Sequence, residues 1–133
     1  MIVVDANVIA YFFIPGEVSF IVEKVAKKDP EWVAPLSWRS EFRNILVNYL
    51  RVGRMPLDTA FLIADKAEHY FINREFSVPT DRVLDLSFRS KCSAYDCEYV
   101  ALAEDLKVPL VTTDQQILKA FPRIAISPQK FAQ

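Results

Sequence analysis

A chain of 133 residues, 52% of them apolar, can bury one sizeable core but is short for two, so a single domain spanning residues 1–133 is expected. Its formal net charge of −1 excludes a global field that would draw it to nucleic acid or to an anionic membrane, so any such attraction must be local. Only 2 glycines stand against 8 prolines, which excludes a glycine-rich phosphate loop, and a lone histidine excludes a paired-histidine acid–base mechanism.

Ile2 to Val4 is a β-branched run ending in Asp5-Ala6-Asn7, which reads as a buried strand followed by a turn or helix cap. Val18 to Lys27 carries Ile21, Val22, Val25 and Ala26 at helical spacing, with Asp29-Pro30 as a stop, and a short strand is expected near Trp32-Val33. From Ser37 to about Arg51, Trp38, Phe42, Ile45, Leu46, Tyr49 and Leu50 recur with the period of an amphipathic helix. Gly53 ends that helix and Pro56 opens the next at a first-turn position, with Ala60, Phe61, Ala64, Ala67 and Phe71 on its apolar stripe. Leu62, Ile63 and Tyr70 widen the stripe, as a broader buried face or as an interface with a second copy or a partner segment.

Farther on, a strand is expected over Glu75 to Val78, helices over Asp81 to Arg89 and Tyr95 to Leu106, and a strand over Pro109 to Thr112. A helix over Asp114 to Ala120, a strand over Ile124 to Ile126 and a frayed terminus complete the chain. Strands alternating with helices predict parallel pairing through helical crossovers, hence a three-layer α/β/α sandwich with a central parallel sheet. Charges break every apolar run well short of the roughly 18 residues of a membrane helix, and the opening residues are unlike a secretory signal. A soluble cytoplasmic protein is therefore expected, with Cys92 and Cys97 as free thiols.

In open parallel sheets, ligands bind beyond the carboxyl ends of the strands. Asp5 follows the first strand and Asp114 follows the Leu110-Val111-Thr112 strand, so both face one crevice if those strands are neighbours. Glu41 and Asp96 stand near helix starts, where they can lean over the same sheet end. Four converging carboxylates would repel one another unless a cation neutralised them, and an all-oxygen set suits Mg²⁺ or Mn²⁺ rather than zinc. Each acid also has a plain structural reading. Ser93-Ala94-Tyr95-Asp96 matches a capping box, Asp114 can cap its own helix, Thr113 with Gln116 can form a second box, Asp5 or Asn7 can cap the helix after the first strand, and Glu41 can be a surface charge.

The segments Val3-Val4-Asp5-Ala6-Asn7 and Pro35-Leu36-Ser37-Trp38-Arg39-Ser40-Glu41-Phe42-Arg43-Asn44, and the run from Tyr95-Asp96 through Leu102-Ala103-Glu104 to Val111-Thr112-Thr113-Asp114, resemble the PIN-domain family in order and spacing over nearly the whole chain. Within that family the likeness is greatest to the VapC-type ribonuclease toxins of toxin–antitoxin pairs. The resemblance implies a PIN-like fold and hydrolysis of RNA phosphodiesters to a 5′-phosphate and a 3′-hydroxyl. It also implies one or two Mg²⁺ or Mn²⁺ ions at Asp5, Glu41, Asp96 and Asp114, with support from Asn7, Asn44 and Thr112, the last by holding a carboxylate from behind. A small antitoxin protein and a homodimer are the partners it implies. Some family members carry a further acid where this chain has Ile117, which bears on a second metal position.

Arg39, Arg43, Arg51 and Arg54 surround the Glu41 helix with cations, of which Arg39 and Arg43 are candidates to meet an RNA backbone, a solvated polar face being the alternative. Tyr11, Phe12 and Phe13 can stack on bases or pack in the core, and core packing is expected for at least two. His69 reads as a packing or surface residue, and Ser37 and Ser40 lack a basic partner for nucleophilic catalysis. An RNA-processing nuclease without an antitoxin fits the same residues. A receiver-like phosphoacceptor module fits poorly, since no lysine adjoins Ile124 to Ile126, and a haloacid-dehalogenase-like phosphatase would need an aspartate where Asn7 stands.

Overall fold

A computed structural model describes residues 1–16 and 18–133. Five strands, β1 (Ile2–Val4), β2 (Trp32–Pro35), β3 (Glu75–Phe76), β4 (Leu110–Val111) and β5 (Ala125–Ile126), form one sheet in the order β3-β2-β1-β4-β5, with every pair parallel. Buried on both faces, such a sheet calls for near-continuous apolar strands, and Ile2, Val3, Val4, Trp32, Val33, Ala34, Leu110 and Val111 are all buried.

The connections are helical. Helices α1 (Ala6–Phe13) and α2 (Ser19–Lys28) join β1 to β2, α3 (Trp38–Arg51) and α4 (Leu57–Tyr70) join β2 to β3, and α5 (Thr80–Ser90) and α6 (Ala94–Leu106) join β3 to β4. Right-handed crossovers in opposite directions along the sheet place α1 to α4 on one face and α5 and α6 on the other. The packing agrees: α1 touches α2, α3 and α4, whereas α6 crosses β1, β2 and β4 beneath α5. The expected three-layer α/β/α sandwich is thus the observed one, and the strand order reverses between β1 and β4, the adjacency on which the crevice argument depends.

Several elements differ from expectation. The helix expected after the first strand is α1, capped by Asp5 rather than Asn7, and it runs until Ile14 leads into Pro15-Gly16. Strands β3, β4 and β5 are two residues each, shorter than expected. In β4 the flanking residues still bond to the neighbouring strands, Pro109 O accepting from Val3 N and Thr112 N donating to Ile126 O, both at 3.0 Å, but Pro109 has no N–H with which to extend the ladder. Pro56 precedes α4 as its N-cap residue rather than standing inside the first turn. Phe61 is not on the buried stripe. Ala60 and Ala67 make the close approach, with Ala64 and Ile63 flanking, which leaves Phe61 and Leu62 61% and 64% exposed. Ile63 and Tyr70 are half-buried, so of the three residues considered for an interface only Leu62 is free.

The terminus is not frayed. Ser127 caps α8 (Pro128–Phe131), and Lys28 Nζ donates to Phe131 O at 2.7 Å and Gln133 O at 2.9 Å. Helix α7 (Gln115–Ala120) is capped by Asp114, not by a Thr113–Gln116 box, because Asp114 Oδ1 accepts from Ile117 N. Gly53 stops α3 as expected, with a φ of +74° that a residue carrying a Cβ rarely adopts.

One continuous core links both faces of the sheet, and its largest fully buried side chains are Trp32, Trp38, Tyr99, Phe42 and Phe71. Phe12 packs on Trp32 with ring centroids 5.0 Å apart and Phe13 on Tyr70 at 5.9 Å, so these two serve the core. His69 is exposed in the last turn of α4, and Cys92 and Cys97 are buried free thiols. No helix among the described residues is long and apolar enough to cross a membrane.

Candidate active site

Asp5, Glu41, Asp96 and Asp114 line one cleft of about 180 Å³ at the carboxyl ends of β1 and β4, together with Asn7, Asn44, Ile45, Tyr99 and Ile117. Each acid reaches it by a different local device. Asp5 leaves β1 in an extended conformation, and its Oδ1 accepts from Val8 N at 2.9 Å, which caps α1. Asp114 leaves β4 in the same way and caps α7. Asp96 stands in the first turn of α6, its amide donating to the Ser93 hydroxyl at 3.0 Å. Glu41 stands in the first turn of α3, one turn before Ile45. The capping roles of Asp5, Asp96 and Asp114 therefore coexist with convergence.

Thr112 fastens two of the acids. Fully buried behind the cleft, it donates Oγ1–H to Asp5 Oδ2 and accepts from Asp114 N at 3.0 Å. Asn7 and Asn44 are exposed at the rim.

Among the described residues no lysine, arginine or histidine lines the cleft, and the electrostatics record the deficit. Burial pushes the Asp5 carboxyl up to about 6, against the opposing effect of the Thr112 hydroxyl and two backbone N–H groups, and the Asp114 charge adds to the rise. Burial likewise pushes Glu41 up to about 7; the nearby Tyr99 hydroxyl opposes this, and Asp5, Asp96 and Glu98 raise it further. Asp96 is raised by burial and by Asp114, against the Ser93 hydroxyl. Glu41 Oε1 and the Tyr99 hydroxyl are both buried without a hydrogen-bond partner among the described residues.

That donor set fits a hard divalent cation. Every potential ligand is a carboxylate oxygen, Glu41 Oε1 lacks a partner, and a positive charge would reverse the rises at Asp5, Glu41 and Asp96. Among the described residues no three acids converge tightly enough to hold an ion unaided. An ion bound through one or two carboxylates and several waters, the usual habit of Mg²⁺, needs no such cage.

Of the two arginines considered for RNA, neither lines the cleft. Arg39 is engaged elsewhere: its Nε and Nη2 donate to the two oxygens of Glu75 at 2.6 and 2.9 Å, and its Nη1 to Glu68 at 2.9 Å. Arg43 is exposed beside Asn44. Ile117, which stands where some members of the resembled family carry a further acid, does line the cleft, and so does Tyr99, one turn after Asp96 on the same helix and not singled out from the sequence.

No family model matches the chain. It is 28% identical over 126 residues to Ribonuclease VapC3 of Pyrobaculum aerophilum, covering 92% of this chain and 96% of that protein. The crystal structure of PAE2754 from Pyrobaculum aerophilum superposes with a TM-score of 0.78 over 98% of this chain and 92% of that one, at 23% identity. The second likeness establishes the fold: the chain has the PIN-like α/β/α sandwich expected from its sequence. The first is a similarity to a ribonuclease along nearly the full length of both chains.

Proposed function

We propose that the chain is a metal-dependent endoribonuclease, a single PIN-like nuclease domain over residues 1–133 that hydrolyses RNA phosphodiester bonds as the toxin of a toxin–antitoxin pair. The observation that carries the reading is the convergence of Asp5, Glu41, Asp96 and Asp114, without a cation, where the strand order reverses. Similarity to Ribonuclease VapC3 supports the choice of RNA as substrate.

In this mechanism Asp5, Asp96 and Asp114 would hold Mg²⁺ or Mn²⁺, as one ion or two, partly through bound waters, since no three acids among the described residues converge tightly enough to hold an ion unaided. When bound, the cation supplies positive charge at the attacking water and at the phosphate oxygens. Thr112 fixes the rotamer of Asp5 and the backbone of Asp114, so these two carboxylates keep their relative position as charge develops. Glu41 serves as a further ligand or orients the attacking water. In the second role its unpartnered Oε1 would accept the proton of the attacking water, and the departing oxygen would take its proton from solvent. Asn7 and Asn44 offer side-chain amides to the phosphate from the rim. Arg43 remains a candidate for the RNA backbone, whereas Arg39 is held by Glu75 and Glu68.

A small antitoxin protein that covers the cleft, a homodimeric state and a cytoplasmic setting complete the proposal. The test is incubation of labelled RNA with partner-free protein, in Mg²⁺ or Mn²⁺ and in chelator, beside an Asp96→Asn variant. Cleavage that requires both the metal and Asp96 is expected; metal-bound protein that leaves varied RNAs intact would overturn the nuclease. Expression of the chain alone should arrest growth, with relief by a neighbouring small gene product. Normal growth under strong expression would argue against the toxin while leaving the nuclease standing.

A further inference from the structure

Among the described residues the acidic cleft is lined by no cationic side chain, and the chain as a whole is slightly negative. A substrate strand therefore needs cationic surface elsewhere. Three of the eight arginines are unsuited to supply it, because carboxylates already hold them: Arg39 is paired with Glu68 and Glu75, Arg82 with Asp85 and Glu104, and Arg89 with Asp85.

A groove of about 1120 Å³ runs along the outer side of β5, between the end of α6 and the helices α7 and α8. Lys107, Arg123 and Lys130 line it, and none of the three forms an ion pair among the described residues. Its one acid, Glu104, is already engaged by Arg82, with Arg82 Nε donating at 2.6 Å. At the carboxyl end of the sheet the groove begins at Gln115, the residue after Asp114, while Ile117, half a turn on, lines the cleft. Helix α7 contributes to both: Ile117 lines the acidic cleft and Gln115 and Leu118 line the groove, whose Lys107 and Arg123 precede the amino ends of β4 and β5, so the groove leads from the cleft toward the other end of the sheet.

We infer that this groove binds the single-stranded phosphodiester backbone flanking the bond placed in the acidic cleft, with Lys107, Arg123 and Lys130 neutralising its phosphates. The inference rests on the ribonuclease reading for the chemistry in the cleft, but not for the binding itself. A positively charged groove that tracks the backbone is one part of how single strands are held irrespective of sequence. An acidic peptide added to the free edge of β5 is the competing occupant. That edge is two residues long, too short to ladder an extended peptide well, whereas three unpaired cations suit a repeating anion.

Fluorescence anisotropy of a labelled single-stranded RNA, titrated with the protein in chelator over a range of salt, tests the assignment without any cleavage. The triple variant Lys107→Glu, Arg123→Glu, Lys130→Glu should bind at least about 10-fold more weakly and lower the slope of log affinity against log salt by about 2, at roughly 0.7 per phosphate contact. The charge-keeping set Lys107→Arg, Arg123→Lys, Lys130→Arg should retain both values. Reversal of Lys24, Lys27 and Lys66, which lie exposed on α2 and α4, gives the same net charge and should leave the slope unchanged. If the groove reversal does not fold by thermal melt, glutamine at the three positions gives the same reading with a smaller change. Equal slopes for the groove and control reversals would overturn the inference, as would binding of an oligoglutamate peptide that depends on the three cations while RNA binding does not. Groove-dependent RNA binding with no cleavage under any metal would leave this inference standing and remove the nuclease; metal-dependent cleavage indifferent to the groove would do the reverse.

Discussion

Two charged clusters stand at the same end of the sheet and are built on opposite principles. Beyond β2 and beside β3, Arg39 bridges Glu75 and Glu68, and the Trp38 indole N–H donates to the same Glu75 at 2.6 Å, so the carboxylate accepts three hydrogen bonds and its pKa is lowered, chiefly by Arg39. Beyond β1 and β4, four carboxylates share a cleft with no cation, and Asp5, Glu41 and Asp96 are raised. The first cluster satisfies itself and holds β3 to the start of α3. The second is incomplete on its own, which is what a site for an external cation and an anionic substrate requires.

The sharpest way to separate them is by what each does to cleavage. Asp114→Asn or Asp5→Asn should reduce RNA cleavage by at least about 1000-fold, since loss of a cation-holding carboxylate forfeits several kcal/mol of charge stabilisation. Arg39→Met should leave the rate per folded molecule within a few-fold of wild type. Single-turnover assays on folded protein check both, and comparable losses in the two clusters would erase the distinction.

The pH dependence of stability should also have opposite signs. Asp5 has a raised folded pKa, so its contribution is present below its usual value of 3.8 and is lost as pH rises through about 6. That loss amounts to about 3 kcal/mol for this buried group, at 1.36 kcal/mol per pKa unit. Glu41 and Asp96 act in the same direction. Glu75, whose pKa is lowered, contributes stability above its usual value of 4.5 and loses it as pH falls through the lowered one. Melting in chelator should therefore shift downward from pH 5 to pH 8, and added Mg²⁺ should recover the loss at pH 8. A melting temperature that is flat between those pH values and unmoved by Mg²⁺ would count against an uncompensated cleft.

How far the sequence anticipates each cluster follows from the range of its contacts. Asp5, Asp96 and Asp114 were legible because each sits at a strand end or in a helix cap, features written within four residues. Their meeting was conditional on β1 pairing with β4, a contact between residues more than a hundred positions apart that no local pattern encodes. Arg39 read as a free cation because its partner Glu75 is 36 residues away, on a strand of only two residues. Phe61 was misplaced for a related reason: its spacing on the stripe is helical, but the close approach is made by Ala60 and Ala67, and small residues carry little hydrophobic signal. The α8 helix was missed because its anchor, Lys28, lies 103 residues before Phe131.

Thr112 offers a finer test, because it connects two acids without carrying charge. Thr112→Val keeps the shape but removes the donor to Asp5 and the acceptor for Asp114 N. Cleavage and metal affinity should each fall by about 10- to 100-fold, the usual effect of losing a group that orients a ligand. Isothermal titration with Mn²⁺ reports the affinity apart from the rate. Thr112→Ser, which retains the hydroxyl, should recover most of both, and failure to do so would mean that the methyl group, not the hydrogen bonds, was what mattered.

The smallest effect is expected where the charges already balance. Arg39→Met removes three hydrogen bonds to carboxylates, yet the guanidinium is 36% exposed, so solvent replaces part of what is lost. Glu75, at 14% exposure, then keeps only the Trp38 donor, and the net cost should be about 1–2 kcal/mol, read by urea denaturation. Glu75→Gln in the same background should return part of it, because a neutral amide in that position no longer needs the cation. If the double variant is no more stable than Arg39→Met alone, the cluster holds β3 by packing rather than by charge, and its contrast with the acidic cleft would rest on the cleft alone.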